Sequence, residues 1–168
     1  MSLLCYSTNV PVDRTVNEIM RLLRTRASAL LTEIDSAGDI AALSFQMKGL
    51  SGTQHFRLPI DWLKVHRVLV REKEQGGLSS ISVFQASNKQ HAQRVAWRIN
   101  LEWLKLQLAL VDSEQATVQQ IFLPYMLVDG QRTVYQILEH QQFKMLSSGE
   151  RNDHEENTKP PVAIGPTI

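Results

Sequence analysis

The side chains best suited to chemistry in this 168-residue chain are arginines on helical spacings. Arg94 and Arg98 stand four residues apart, with Lys105 along the same stripe and Glu102 between. A guanidinium grips phosphate or carboxylate through two parallel N–H groups, so such a stripe suits an anionic ligand. Trp97 stands beside Arg98, and Trp103 follows five residues on. An indole can stack on a nucleobase while an arginine holds its phosphate. The same spacings have a plainer meaning. Arg98 and Glu102 at i, i+4 form a surface pair worth about 0.3–0.5 kcal/mol. Both tryptophans also fall on apolar stripes that belong in a core. Arg21 and Arg24, with Arg14, line the polar side of an earlier helical pattern, and Arg67 and Arg71 line another. Tyr125, like Tyr135, lies near Asp129-Gly130 and reads either as a ligand contact or as a buried ring whose hydroxyl makes one hydrogen bond. The candidate binding residues are therefore Arg21, Arg24, Arg67, Arg71, Arg94, Arg98, Trp97, Trp103 and Tyr125.

Catalytic signatures are sparse. Of His55, His66, His91, His140 and His154, no two are at the i, i+4 spacing of a helical metal pair, and Cys5 stands alone. No metal site is expected. Lys48-Gly49-Leu50-Ser51-Gly52 holds glycines but no Gly-Lys-Ser/Thr opening a helix, and no G-x-S-x-G elbow occurs. Glu33 and Asp35 share one face of an expected strand. With His55 they are the set that would suit a metal-dependent nuclease, although two acids before a turn usually face solvent. No catalytic residue and no cofactor are assigned.

The elements that must position these residues follow from periodicity. Residues 3–10 read as a short extended segment ended by Pro11. Thr15-Val16-Asn17-Glu18 fits a capping box ahead of a helix to about Thr25, with Val16, Ile19, Met20 and Leu23 on its apolar side. Alternation predicts strands over 29–35, 40–47 and 53–58, joined by turns at 36–39 and 48–52. Asp61 caps a helix over 62–75, stopped by Gly76-Gly77. A polar loop with some apolar content is expected over 78–87.

A long helix begins near Asn88 and is apolar on two stripes. One is Ala92, Val95, Ala96, Ile99, Trp103, Leu106 and Leu110; the other is Trp97, Leu101, Leu104, Leu108 and Val111. Such a helix is buried from both sides or shared with a partner chain. Ser113 is placed to cap a continuation through Val118, Ile121 and Phe122, which Pro124 ends. Thr133 caps a last helix over 134–140.

The expected fold is α+β: a small antiparallel sheet of three or four strands, covered on one face by helices that include one long helix. Residues 1–146 form a single domain, and 147–168 a disordered polar C-terminal tail. Residues 3–10, returning as a fourth strand, or a second subunit would cover a sheet edge.

Composition, at 43% apolar and 21% charged, fits a globular chain with one sizeable core. No apolar run approaches a membrane span, and no secretory signal is expected. With a lone cysteine, a reducing cytoplasm is the expected location. Net charge is only +1 but uneven: residues 1–111 carry fourteen Lys/Arg against nine Asp/Glu, and 112–168 carry four against eight. A mildly basic body with an acidic tail is compatible with a polyanionic partner.

Pro11-Val12-Asp13-Arg14-Thr15 with Glu18-Ile19, Ala42-Leu43-Ser44-Phe45, Phe56-Arg57-Leu58-Pro59, Arg94-Val95-Ala96-Trp97-Arg98 and Phe122-Leu123-Pro124-Tyr125-Met126 occur in that order. Over roughly residues 6–140 the chain resembles an uncharacterised family of small proteins encoded by phages, prophages and other mobile elements. The resemblance implies an accessory protein, in replication or in anti-defence, and carries over no functional residue. The expected function is a non-enzymatic protein that binds nucleic acid or a nucleic-acid-handling complex. It predicts that the six arginines converge on one face. The alternative is an oligomeric anti-defence protein that sequesters a host factor or signalling nucleotide. It requires a homodimer through the long helix, with arginines and aromatics at the seam. A nuclease is the third reading. Partners are thus nucleic acid or nucleotide, a host or phage protein, and a second copy; no membrane is expected.

Overall fold

A computed structural model describes residues 2–49, 52–141 and 143. The expected tail over 147–168, and Leu50 and Ser51 of the 48–52 turn, lie outside them. The strand pattern forms as expected. Strands β1 (Ala27–Ile34), β2 (Ile40–Gly49) and β3 (Gly52–Pro59) make an antiparallel sheet in the order β1-β2-β3. Leu43, Phe45 and Met47 of β2 alternate with Ser44 and Gln46, so one face is apolar and the other polar. On the apolar face Phe45 stacks on its cross-strand partner Phe56 at 5.3 Å between ring centroids.

Two helices lie on that face. Helix α1 (Val12–Arg24) contributes Val16, Ile19 and Leu23, and the 24-residue α4 (Lys89–Asp112) contributes Trp97, Leu101, Leu104 and Leu108. The opposite side of α4 buries Ala92 and Val95, with Ile99 packed beside them, against Leu69 of α2 (Trp62–Glu74) and against Leu78, Ile81 and Ala86. The residues toward the sheet and those toward α2 are separated by about half a turn at 100° per residue. Both stripes of α4 are therefore used within one chain at its N-terminal half. Beyond Trp103 the stripe that begins at Ala92 runs out of cover, leaving Leu106 68% and Leu110 37% exposed.

Four local expectations need correction. Residues 3–10 do not add a strand: they turn, with the Thr8 amide donating to the Cys5 carbonyl at 3.0 Å, and Leu3 and Tyr6 pack on the α2 side of α4. The covered edge is that of β3, where Met126 bridges Phe56 and the Leu127 amide donates to the His55 carbonyl at 2.8 Å. Thr15 is not a cap. Pro11 (φ −58°) sits at the N-cap position, and the buried Thr15 hydroxyl donates to its carbonyl at 3.3 Å. Proline's fixed φ suits a helix start, so the helix begins four residues earlier than the capping-box reading implied.

The expected polar loop over 78–87 supplies Leu78, Ile81 and Ala86 to the core and forms the short α3 (Val83–Ala86), capped by Ser82. Ser113 ends α4 rather than starting a continuation. The next helix, α5 (Val118–Phe122), has its own capping box from Thr117 and Gln120. The expected Asp61 and Thr133 caps are present, Thr133 opening α6 (Val134–His140).

The N-terminal segment is tied down through His91, which is wholly buried. Its Nε2 donates to the Tyr6 carbonyl at 2.7 Å, leaving Nδ1 to accept from the Gln85 amide at 3.4 Å. Burial pushes the imidazole pKa down. The unfolded chain takes up a proton near about pH 6.5 while folded His91 resists it, so stability is complete above that pH and falls as pH drops below it. Urea unfolding at about pH 7.5 and about pH 5.5 is expected to show a larger loss for the native chain than for His91→Gln.

Candidate functional site

Helices α1 and α4 run side by side in the same direction, fastened by Glu18–Arg98 at 3.3 Å near the middle and Arg26–Asp112 at the C-terminal ends. Arg98 also faces Glu102 at 3.5 Å, and Glu102 meets Lys105 at 3.0 Å. Arg98 is thus committed to a four-residue charge network across the helix seam. One turn earlier on α4, Arg94 makes no ion pair among the described residues, and its Nε is buried without a hydrogen-bond partner. A buried donor left unpaired costs about 1–3 kcal/mol, so its presence calls for an explanation.

Arg94 lines a groove of about 370 Å³ with Pro11, Asp13, Asp39, Gln93 and Trp97. A second groove of about 630 Å³ follows α1, lined by Pro11, Asp13, Arg14, Asn17, Glu18 and Arg21. The two share Pro11 and Asp13. Lys89 meets Asp39 at 2.7 Å on the rim, and this ammonium holds the Asp39 carboxyl below the usual carboxylate range.

The nine candidates are not brought together. Arg21 and Arg94 border the joined grooves, and Arg98 stands beside them, held by Glu18. Arg24 is exposed at the end of α1. Arg67 and Arg71 are exposed on α2, which covers the opposite side of α4, so the six arginines do not converge on one face. Trp97 is 2% exposed and belongs to the core; its ring is not open for a base to stack on. Trp103 lies nine residues after Arg94, about 180° around the helix, and packs edge-on to Phe122 and Tyr125 at 5.8 and 5.5 Å. Trp103 and Tyr125 thus close the seam of α4 with α5, away from the arginines. Arg14 and Gln93 were not among the candidates. Arg14 had a sequence signal in its seven-residue spacing from Arg21, whereas the orphaned Nε of Arg94 had none.

The nuclease set also comes apart. The Glu33 carboxylate accepts from Arg57 Nε at 2.9 Å, from Arg57 Nη2 at 2.7 Å and from the Ser44 hydroxyl at 2.6 Å. The Arg57 guanidinium holds its carboxyl below the usual range. Asp35 instead accepts from the Ala37 and Asp39 amides of its own turn. An irregularity between Glu33 and Ile34 breaks the alternation that would have aligned the two acids. Among the described residues no three His, Cys, Asp or Glu side chains are grouped to hold a metal ion, and no helix is long and apolar enough to cross a membrane. The outer sheet face does carry a trough of about 620 Å³, with Glu33, Ser44, Gln46, His55 and Arg57 among its lining residues.

The chain matches no family model, no curated protein and no solved structure.

If Arg94 serves a ligand rather than the fold, thermal unfolding separates it from Arg98. Arg98→Ala is expected to cost up to about 1 kcal/mol by removing partly exposed pairs. Arg94→Met keeps the packed stem and removes the orphaned donor, so it is expected to leave stability unchanged or slightly raised. A large loss in Arg94→Met would show that the guanidinium is structural.

Proposed function

We propose that this protein is a non-enzymatic accessory protein of a phage or other mobile element that binds nucleic acid or a nucleic-acid-handling complex. The reading rests on one observation: the unpaired, buried Nε of Arg94 in a groove that meets, at Pro11 and Asp13, a second groove bordered by Arg14 and Arg21. A phosphate in that groove would meet the Arg94 guanidinium and satisfy the donor once the side chain turns toward it, and Arg14 and Arg21 would meet neighbouring phosphates along α1. Glu18 and Glu102 are offset by Arg98 and Lys105, and Asp39 by Lys89, so Asp13 alone stands against Arg14, Arg21 and Arg94 in the two grooves. Association of this kind releases counterions and weakens steeply with salt.

The test is fluorescence anisotropy with single-stranded and duplex DNA of mixed sequence between about 50 and 200 mM NaCl. Binding is expected, with Arg94→Ala reducing the magnitude of the salt slope by about 0.7–0.9. Absence of binding at the lowest salt, or a slope unchanged in Arg94→Ala, would overturn the reading.

A second reading, an oligomer that sequesters a host factor or signalling nucleotide, draws support from Leu106 and Leu110. A second copy laid on α4 about a two-fold axis would cover both with the same stripe of its own helix. Light scattering is expected to give twice the chain mass for the native protein and the single mass for Leu106→Glu. A native protein that is monomeric at high concentration removes this reading.

A further inference from the structure

The outer face of the sheet holds a polar site separate from the α1–α4 grooves. A solvated face needs only scattered polar side chains, yet here an ion pair spans the sheet. Arg57 on β3 reaches Glu33 on β1, and Ala42, which pairs with Glu33 in the register, is fully buried between the outer strands. A larger residue at that central position would hold the two charges apart. The pair engages Nε and Nη2 of Arg57, the side-on edge of the guanidinium. The end-on edge keeps Nη1 and the second Nη2 hydrogen, a two-donor fork with no hydrogen-bond partner among the described residues. Glu33 also accepts from Ser44, so the fork is held in place before any ligand arrives.

The surroundings are those of a ligand site. His55, two residues before Arg57 on the same strand face, is exposed, and Gln46 stands opposite it in the register. Leu31, 64% exposed, forms one apolar wall and Leu127 the other, with Gly130 and Gln131 at the rim. The rim is held in place by Asp129, whose carboxylate accepts from the Arg132 and Gln131 amides at 2.7 and 3.0 Å. Those bonds bring its pKa down to about 2, so the clamp persists across the neutral range and is lost only as pH falls through that value. A volume of about 620 Å³ is that of a small-molecule site.

We propose that this trough binds a small organic oxyanion, a carboxylate or phosphate monoester with a body of nucleotide size. Its charged end meets the Arg57 fork, with His55 and Gln46 beside it, and its body lies between Leu31 and Leu127. Because Glu33 offsets the charge of Arg57, recognition depends on the directed donors, and affinity changes little with salt. That separates it from polyanion binding at the α1–α4 grooves.

Isothermal titration of the full chain with AMP, citrate and inorganic phosphate tests this. AMP or citrate is expected to bind more tightly than inorganic phosphate, with little change between low and high salt. Arg57→Lys keeps a cation for Glu33 but loses the fork, and is expected to weaken binding about tenfold or more. His55→Ala and Gln46→Ala, which leave the ion pair intact, are expected to weaken it less and serve if Arg57→Lys fails to fold. Arg94→Ala is expected to leave this binding unchanged, so failure here and failure of the nucleic-acid reading are distinguishable. The proposal is overturned by no binding of AMP or citrate at about 1 mM. It is equally overturned by inorganic phosphate binding as tightly as both, or by unaltered affinity in folded Arg57→Lys or in both alanine variants.

Discussion

The burial of α4 on two opposite faces is the constraint from which the rest of the arrangement follows. Trp97, Leu101, Leu104 and Leu108 must be covered on one side and Ala92, Val95 and Ile99 on the other. A three-stranded sheet can cover only one of them. The second is closed by α2 together with Leu78, Ile81 and Ala86, so a segment that reads as a polar loop becomes structural. Each buried aliphatic side chain contributes about 1.5–3 kcal/mol on removal from water. Those contributions set which segments fold against the helix, ahead of the weaker preferences of individual loops.

That arrangement also distributes the charges. Placing α1 beside α4 in the same direction brings Glu18 to Arg98, and the pairing removes Arg98 from the pool of free cations. Arg94, one turn away, faces the gap where α1 begins and makes no ion pair among the described residues. Pro11 matters here because it starts α1 early and lines both grooves. The outer sheet face follows a different logic. There the charges are neutralised in place: Glu33 and Arg57 hold one another across a small central residue, and what remains available is the geometry of the guanidinium rather than net charge.

Much of the fold was legible in the sequence because local signals and the global pattern agreed. The alternation in β2, the Asp61 and Thr133 caps and the extent of the long helix all came through. The failures share a cause. Thr15 with Glu18, and Ser113, carry capping chemistry that is valid in isolation, but Pro11 and Thr117 supply competing starts nearby. Residues 3–10 have strand-like composition, yet the buried His91 draws the Tyr6 carbonyl to α4 instead. The candidate site was less legible still. Arginines on three helices look equivalent in sequence, and only packing distinguishes a paired guanidinium from an orphaned one.

The sequence by itself determined the α+β class, the inner and outer faces of the sheet, and a central helix that demands cover on two sides. These follow from periodicity, which is local and is set by the geometry of the backbone. Only the tertiary structure decided that Arg67 and Arg71 stand apart from Arg21 and Arg94, that Trp97 is core, and that Glu33 answers Arg57 rather than Asp35. Those outcomes depend on which distant residues come to within about 3–4 Å of one another, a distance at which hydrogen bonds and ion pairs form and which spacing along the chain does not specify.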